Sequence, residues 1–335
     1  MNSLTIGDLS TVFRRMSLVN QTKTNLETYS MEIASGRKAE LSKSLSGNFT
    51  PLASMERTLR TIESYQRGVD DAVFFASSMQ NVLGSVAGHV DDAAAPLFNS
   101  ATYNNSATME ITSTETRATL DSVVYAFNTR AGGRALFSGA ATQTTPLQSS
   151  ETLMAEIQTA IAGATTADEI VAAVDAWFAP GSGSYDTAMY KGSASPKSGF
   201  VLNDYETANF DITASNQGVR DTLKGLVLGA LVSEGALPGD LSEQAKLMQT
   251  AGERLYGASG KMQLLSSRVG AQEAKIEAAS VRNTAEQYAT ERAKLEIVTA
   301  DIYDSAAKLT QAETQLEMMY TITARLSNLK LSDYI

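Results

Sequence analysis

Residues 308–335 read KLTQAETQLEMMYTITARLSNLKLSDYI. Leu309, Ala312, Leu316, Met319 and Leu326 recur there in steps of three, four and seven, so they share one stripe of a helix. A stripe of this kind is stable only when something covers it. The line continues upstream through Leu295, Val298 and Ile302, and after Gly270 the chain has neither Gly nor Pro. A helix from Gly270 onward would run about 100 Å at 1.5 Å per residue. That exceeds a compact core, so part of it is expected to lie against something outside one.

The beginning of the chain offers a partner. Leu9, Val12, Met16, Val19, Leu26 and Ile33 alternate in three- and four-residue steps, with Lys23 and Ser30 interrupting the line. Gly36 and the basic residues after it end this segment. The two ends are expected to pair as an antiparallel coiled coil that is marginal alone and firm once neighbouring copies cover the remaining apolar surface. An intramolecular coil that merely closes a rod is the other reading of the same pattern.

Between the ends the pattern is nested. Long seams run from Leu52 to Val90 and from Leu241 to Ala279, with "PLFNSATYNNS" expected to break the first. "RAGG" is expected to stop a shorter helix carrying Leu120, Val123 and Phe127, with a strand and turn after it. Thr166 with Glu169 forms a capping box, Asn216 is a candidate N-cap, and the stretch from Gly181 to Asp211 reads as β-like and turn-rich. The expected fold is mainly α: a long antiparallel coiled-coil or helical-bundle rod formed by both chain ends, with a smaller inserted α+β outer domain. The expected parts are 1–42 plus 284–335, 43–140 plus 215–283, and the insertion 141–214.

Composition narrows function. Against 27 Lys and Arg stand 37 Asp and Glu, so a nucleic-acid backbone or an anionic membrane is a poor partner. No run approaches the roughly 20 apolar residues that span a bilayer, and the N-terminus lacks a cleavable signal pattern. With no Cys and one His, disulfides, Cys-ligated metals, Cys nucleophiles and a His–His metal pair within one chain are excluded. Catalytic, cofactor-binding and metal residues are all expected to be none. His89 reads as a surface or half-buried histidine, and Asp70–Asp71 and Asp91–Asp92 as solvated faces. "GERLYGASGK" fails as a phosphate loop because Met262 follows its lysine and no strand precedes it. "GSGS" at 181–184 reads as a turn, and a nucleophile elbow is missing.

Four stretches carry a resemblance: LETYSMEIASGRK (26–38), GRALFSGAATQTTPL (133–147), YKGS with DITASNQGVRDTLKGL (190–193 and 211–226), and AETQLEMMYTITARLSNLKLSDYI (312–335). In these the chain resembles the flagellin superfamily, and within it the flagellar hook-associated protein 3 group, the hook–filament junction proteins. The family's acidic "PSDDP"-like turn is replaced by AELSKSLSGNFTPLASM (39–55), a departure associated with alphaproteobacterial members. The resemblance implies a non-enzymatic structural subunit of the bacterial flagellum, extracellular and exported by the type III route without a cleaved signal peptide. Its implied partners are copies of itself in a ring or helical layer, adjacent hook-associated or hook subunits, flagellin, and an export chaperone on the C-terminal helix. No nucleic acid, membrane insertion or cofactor is implied. A flagellin forming the filament itself and a cytoplasmic coiled-coil scaffold are the other two readings.

Overall fold

The computed structural model describes the backbone of residues 6–332 and the side chains of residues 10–325. The side chains of Leu9, Leu326 and the LKLSDYI ending lie outside those described. The expected mainly-α class is observed. In chain order the elements are α1 (Ile6–Ser35), α2 (Leu41–Ser44), α3 (Thr50–Tyr103), α4 (Ser106–Phe127), a hairpin of β1 (Arg130–Ala131) and β2 (Arg134–Ala135), α5 (Ser150–Ala160), and α6 (Ala167–Trp177). A π-helical turn at Tyr185–Met189 leads to a second hairpin of β3 (Phe200–Val201) and β4 (Thr207–Ala208), then α7 (Gln217–Ala230), α8 (Leu241–Val298) and α9 (Ile302–Ser332). The chain divides into two compact units, residues 1–62 with 284–335, and residues 63–283.

The second unit holds the main core. Leu83, Val86, Val90 and Leu97 of α3 meet Leu120, Val123 and Phe127 of α4 and the apolar line of α8 at Leu247, Met248, Leu255 and Met262. At its centre α7 is buried on nearly every side, as a helix enclosed by others must be. Two glycines permit that enclosure. A Cβ at Gly225 would stand 2.6 Å from Leu255 Cδ2, and one at Gly229 would stand 2.9 Å from Thr116 and 3.0 Å from Leu97.

Residues 141–214 do not build a separate core. Leu153, Ile157, Ile170 and Val174 belong to the same buried cluster as the helices that flank them. Trp177, Phe178 and Tyr185 pack there edge to face and tilted, with ring centroids 4.8–6.1 Å apart. The capping box is present, with Thr166 accepting from the Glu169 amide and Glu169 from the Thr166 amide. The β-like stretch yields only the two-residue strands β3 and β4, because its turn residues outnumber its strand formers.

The break expected within PLFNSATYNNS is observed, at its far end, and three other local expectations are corrected. Pro96 does not interrupt α3, which runs on to Tyr103. Pro96 and Asp92 both face solvent, so the carbonyl that loses its hydrogen bond there can bond water instead. The break comes at Asn104, in left-handed backbone at φ 48°, and Asn105 caps α4 by accepting from Thr108 N at 3.1 Å. Gly132 and Gly133 do not stop a helix. At φ +55° and +76° they form the two-residue turn of the β1–β2 hairpin, a conformation glycine adopts without steric cost. Asn216 does stand at the N-cap of α7, but its side chain turns back to accept from Thr213 N at 2.6 Å. Finally, the long C-terminal helix is interrupted at 299–301. Asp301 stops it and caps α9, accepting from Tyr303 N at 3.0 Å and Asp304 N at 3.2 Å.

Ion pairs hold α6 to its neighbours. Asp175 grips Arg254 of α8 in a fork at 2.7 and 3.0 Å and takes Lys224 of α7 at 2.9 Å. Asp168 pairs with Lys246 at 2.7 Å, and Asp221 with Lys261. Arg220, only 4% exposed, pairs with Asp186, donates to Ser215 O at 2.9 Å and lies over the Tyr185 ring. Burial pushes the Asp175 carboxyl up, but Arg254 and Lys224 outweigh it and hold the group below its usual range. Its contribution is therefore complete above about pH 4 and is lost as pH falls further. Asp175→Asn is expected to lower the urea midpoint of the chain at pH 7 and to flatten the acid-side fall in stability. An unchanged acid limb in the variant would remove Asp175 as the group responsible.

Candidate assembly interface

In the first unit α1 and α9 pack along each other. They run antiparallel, since the end of α1 meets the start of α9. Arg37 bridges Thr299, and Ser305 Oγ donates to Glu32 Oε2 at 2.9 Å. The residues of α1 turned toward α9 are Val19, Thr22, Leu26, Tyr29 and Ile33, buried or half-buried at alternating three- and four-residue steps. On α9 the matching line is Ser305, Leu309, Ala312, Leu316 and Met319. Carrying the Glu32–Ser305 register along both helices brings Leu26 within one residue of Ala312 and Val19 within one residue of Met319.

The sequence-drawn seam meets this interface at one heptad line on α1 and at both on α9. Val19, Leu26, Ile33, Leu309, Leu316 and Met319 are half-buried, and Val298 is buried. Val12, Met16, Leu295 and Ile302 stand exposed, and the side chains of Leu9 and Leu326 lie outside those described. In place of Lys23 and Ser30, the second line on α1 uses the residues one position earlier, Thr22 and Tyr29. Thr22 fits because its hydroxyl donates to Leu18 O at 2.9 Å and presents only its methyl outward. Ser305 fits because Glu32 takes its hydroxyl.

A clasp closes the end of this pair. Gly36 adopts φ +68°, which turns the chain off α1 as a C-terminal glycine does. The next residues pair with the break between α8 and α9: Lys38 N donates to Val298 O at 2.9 Å, and Ala300 N to Gly36 O at 3.1 Å. Lys38 Nζ donates to Ile297 O at 2.9 Å, placing an ammonium at the negative end of α8. Glu32 also accepts from Ala39 N at 3.2 Å, so one carboxylate ties α1, the turn and α9 together. The signals for this clasp were present in sequence as "SGRK" and "TADIYD", but only the fold brings them side by side.

Much apolar surface remains open. Phe13 is 77% exposed, and Met31, Tyr303, Met318, Tyr320 and Ile322 stand out as well. Large apolar residues presented together mark interaction surfaces more often than they occur by chance. Among the described residues no group of three or more His, Asp or Glu side chains is placed to hold a metal, and no helix is long and apolar enough to cross a membrane. His89 is half-buried on α3, and Asp70, Asp71, Asp91 and Asp92 face solvent.

Residues 255–335 match the bacterial flagellin C-terminal helical region. No curated protein matches the chain in sequence. Among solved structures, a protein proposed to be a flagellar hook-associated protein of Vibrio parahaemolyticus shares the fold at 16% identity and TM-score 0.53, covering 75% of this chain and 99% of its own. FlgL of Bacillus cereus aligns more loosely, at 18% identity and TM-score 0.47, over 71% of this chain and 100% of its own. The flagellin-superfamily resemblance drawn from the sequence is thus met by an independent match over the same C-terminal helix.

The clasp yields a test. Glu32→Ala is expected to cost about 1 kcal/mol through two lost hydrogen bonds and to raise hydrogen exchange at the Ala39 amide and across 299–305. Unchanged protection there would mean that Glu32 does not set the register.

Proposed function

We propose, for a chain ending in a flagellin-type helical region, that it is a structural, non-enzymatic subunit of the bacterial flagellum, and within the flagellum a hook-associated junction subunit between hook and filament. The observation that carries this is the α1–α9 pair, closed in register at one end and bearing apolar residues along its outer sides. Sister molecules in a ring or helical layer are the natural cover for those residues. In this reading residues 1–42 with 284–335 form the inner layer, 43–140 with 215–283 the next, and 141–214 the outer part. The assembly seam is Leu9, Val12, Met16, Val19, Leu26 and Ile33 with Leu295, Val298, Ile302, Leu309, Leu316, Met319 and Leu326, extended by the paired positions Thr22, Tyr29, Ser305 and Ala312.

The same reading places the protein outside the cell, delivered unfolded by the flagellar type III apparatus, with hook subunits and flagellin as neighbours. The chain's lack of cysteine suits that passage, because no disulfide can lock it in transit. The resemblance also implies a chaperone on α9 before export, and the exposed apolar residues of that helix suit such a cover. Immuno-electron microscopy separates the alternatives. A narrow band of label at the hook tip is expected. Label along the filament would make the protein a filament flagellin, and label confined to the cell interior would make it a cytoplasmic scaffold. Removing residues from Leu316 onward is expected to abolish assembly while residues 63–283 keep their unfolding transition. Normal motility of such cells would defeat the assembly role of α9.

A further inference from the structure

The second unit carries a groove of about 830 Å³ between α3, the end of α4 and the start of α5. Its size lies within the range of small-ligand sites. Val82 and Val124 are buried beneath it and give it an apolar floor. Its rim is polar: Asn81 and His89 from α3, Asp121 and Tyr125 from α4, and Glu151 from α5.

Local structure fixes these groups in place. Asn81, Ser85 and His89 follow each other at helical four-residue steps, as do Asp121 and Tyr125. Asn128 spends both ends of its amide on Leu147, donating to its carbonyl at 3.0 Å and accepting from its N–H at 2.9 Å. That staple brings the start of α5 against the groove. Ser149 caps α5, and its hydrogen bond to Glu151 holds that carboxyl below its ordinary range. Arg117 is engaged by Asp121 and by Glu234, the latter at 3.1 Å.

This chemistry selects a ligand class. Two acidic side chains, Asp121 and Glu151, disfavour anions, and the nearby guanidinium is already paired. Asp121 and Glu151 accept only, while Asn81, His89 and the Tyr125 hydroxyl both donate and accept, and these groups are spread along the groove, so they suit a ligand with several separated hydroxyls. A single ammonium would reach few of them. Tyr125, 80% exposed, offers a flat apolar face with a hydroxyl at its edge.

We propose that this groove binds a neutral oligosaccharide of about two or three hexose units. One sugar ring stacks on Tyr125, hydroxyls donate to Asp121 and Glu151, and Asn81 and His89 exchange hydrogen bonds with the rest.

His89 is the only histidine in the chain, so its imidazole C2 proton gives a single assignable NMR signal. The test titrates the untagged full chain with maltotriose, cellotriose, chitotriose and mannotriose to about 10 mM, the range of weak ligand binding. At least one sugar is expected to move the His89 signal along a saturable curve. Tyr125→Ala is expected to weaken that curve about tenfold or more, and Glu151→Gln to weaken it as well. Both residues are exposed, and an unchanged circular dichroism melt verifies that the variants fold. The proposal is overturned if none of the four sugars moves the signal, or if Tyr125→Ala responds as the parent does. It is equally overturned if trilysine moves the signal while the sugars leave it still, which would make the groove a site for cationic segments.

Discussion

A two-stranded coil can bury one seam on each helix and no more. Both α1 and α9 exceed that limit. Phe13 and Met31 are eighteen residues apart, which at 3.6 residues per turn puts them on one line, and that line faces away from the seam of Val19, Leu26 and Ile33. Tyr303 and Met318 lie on the far side of α9 from Leu309 and Leu316. No pairing of these two helices alone covers both sides. What order the pair has comes from its closed end, where Glu32, Lys38 and Asp301 satisfy backbone groups and fix one register, and much less from the greasiness of the seam.

Residues 63–283 solve the opposite problem. There α7 is enclosed, and its glycines at 225 and 229 allow Leu255 and Leu97 to close on its backbone. Enclosing a helix also traps its polar residues, and Arg220 and Lys224 are buried on it. Each is matched by a carboxylate from another element, Asp186 and Asp175, because an unmatched buried charge would cost several kcal/mol. The insertion is tied to the helices by this requirement as much as by the shared apolar core. A complete unit and an incomplete one thus reside in one chain, and the difference lies in how many neighbours each helix has.

The parts of this arrangement that were legible in the sequence are those encoded locally. Long helices, the capping box at Thr166 and the turn at Gly132–Gly133 each have a short-range signature, although the last was read as a helix stop and proved to be a hairpin. On α1 the seam was legible at one of its two lines. Thr22 and Ser305 count as polar on any hydropathy scale, yet they pack inward once Leu18 O and Glu32 take their hydroxyls, so the apparent interruptions at Lys23 and Ser30 were positions off the interface. The break in PLFNSATYNNS was legible but its exact place was not: the cost of Pro96 depends on whether the freed carbonyl faces water, which periodicity does not report. The groove at His89 had no sequence signal, because α3, α4 and α5 bring its residues together only in the folded chain.

The composition of the seam bears on assembly. Thr22, Ala312 and Ser305 are small, so the coil buries little apolar area at those levels, and by the usual proportionality between area and free energy the α1–α9 contact is weak along its length. In the role proposed above, weakness with a fixed register suits a subunit that is threaded in extended form and then set among copies of itself. The end clasp selects one alignment when the helices meet again, while the larger side chains, Phe13, Met31, Met318 and Ile322, remain outside the pair. In the proposed role, association with a neighbour covers these side chains as well. In that role the free energy that makes the termini firm is released on association, and the free chain keeps little of it in advance.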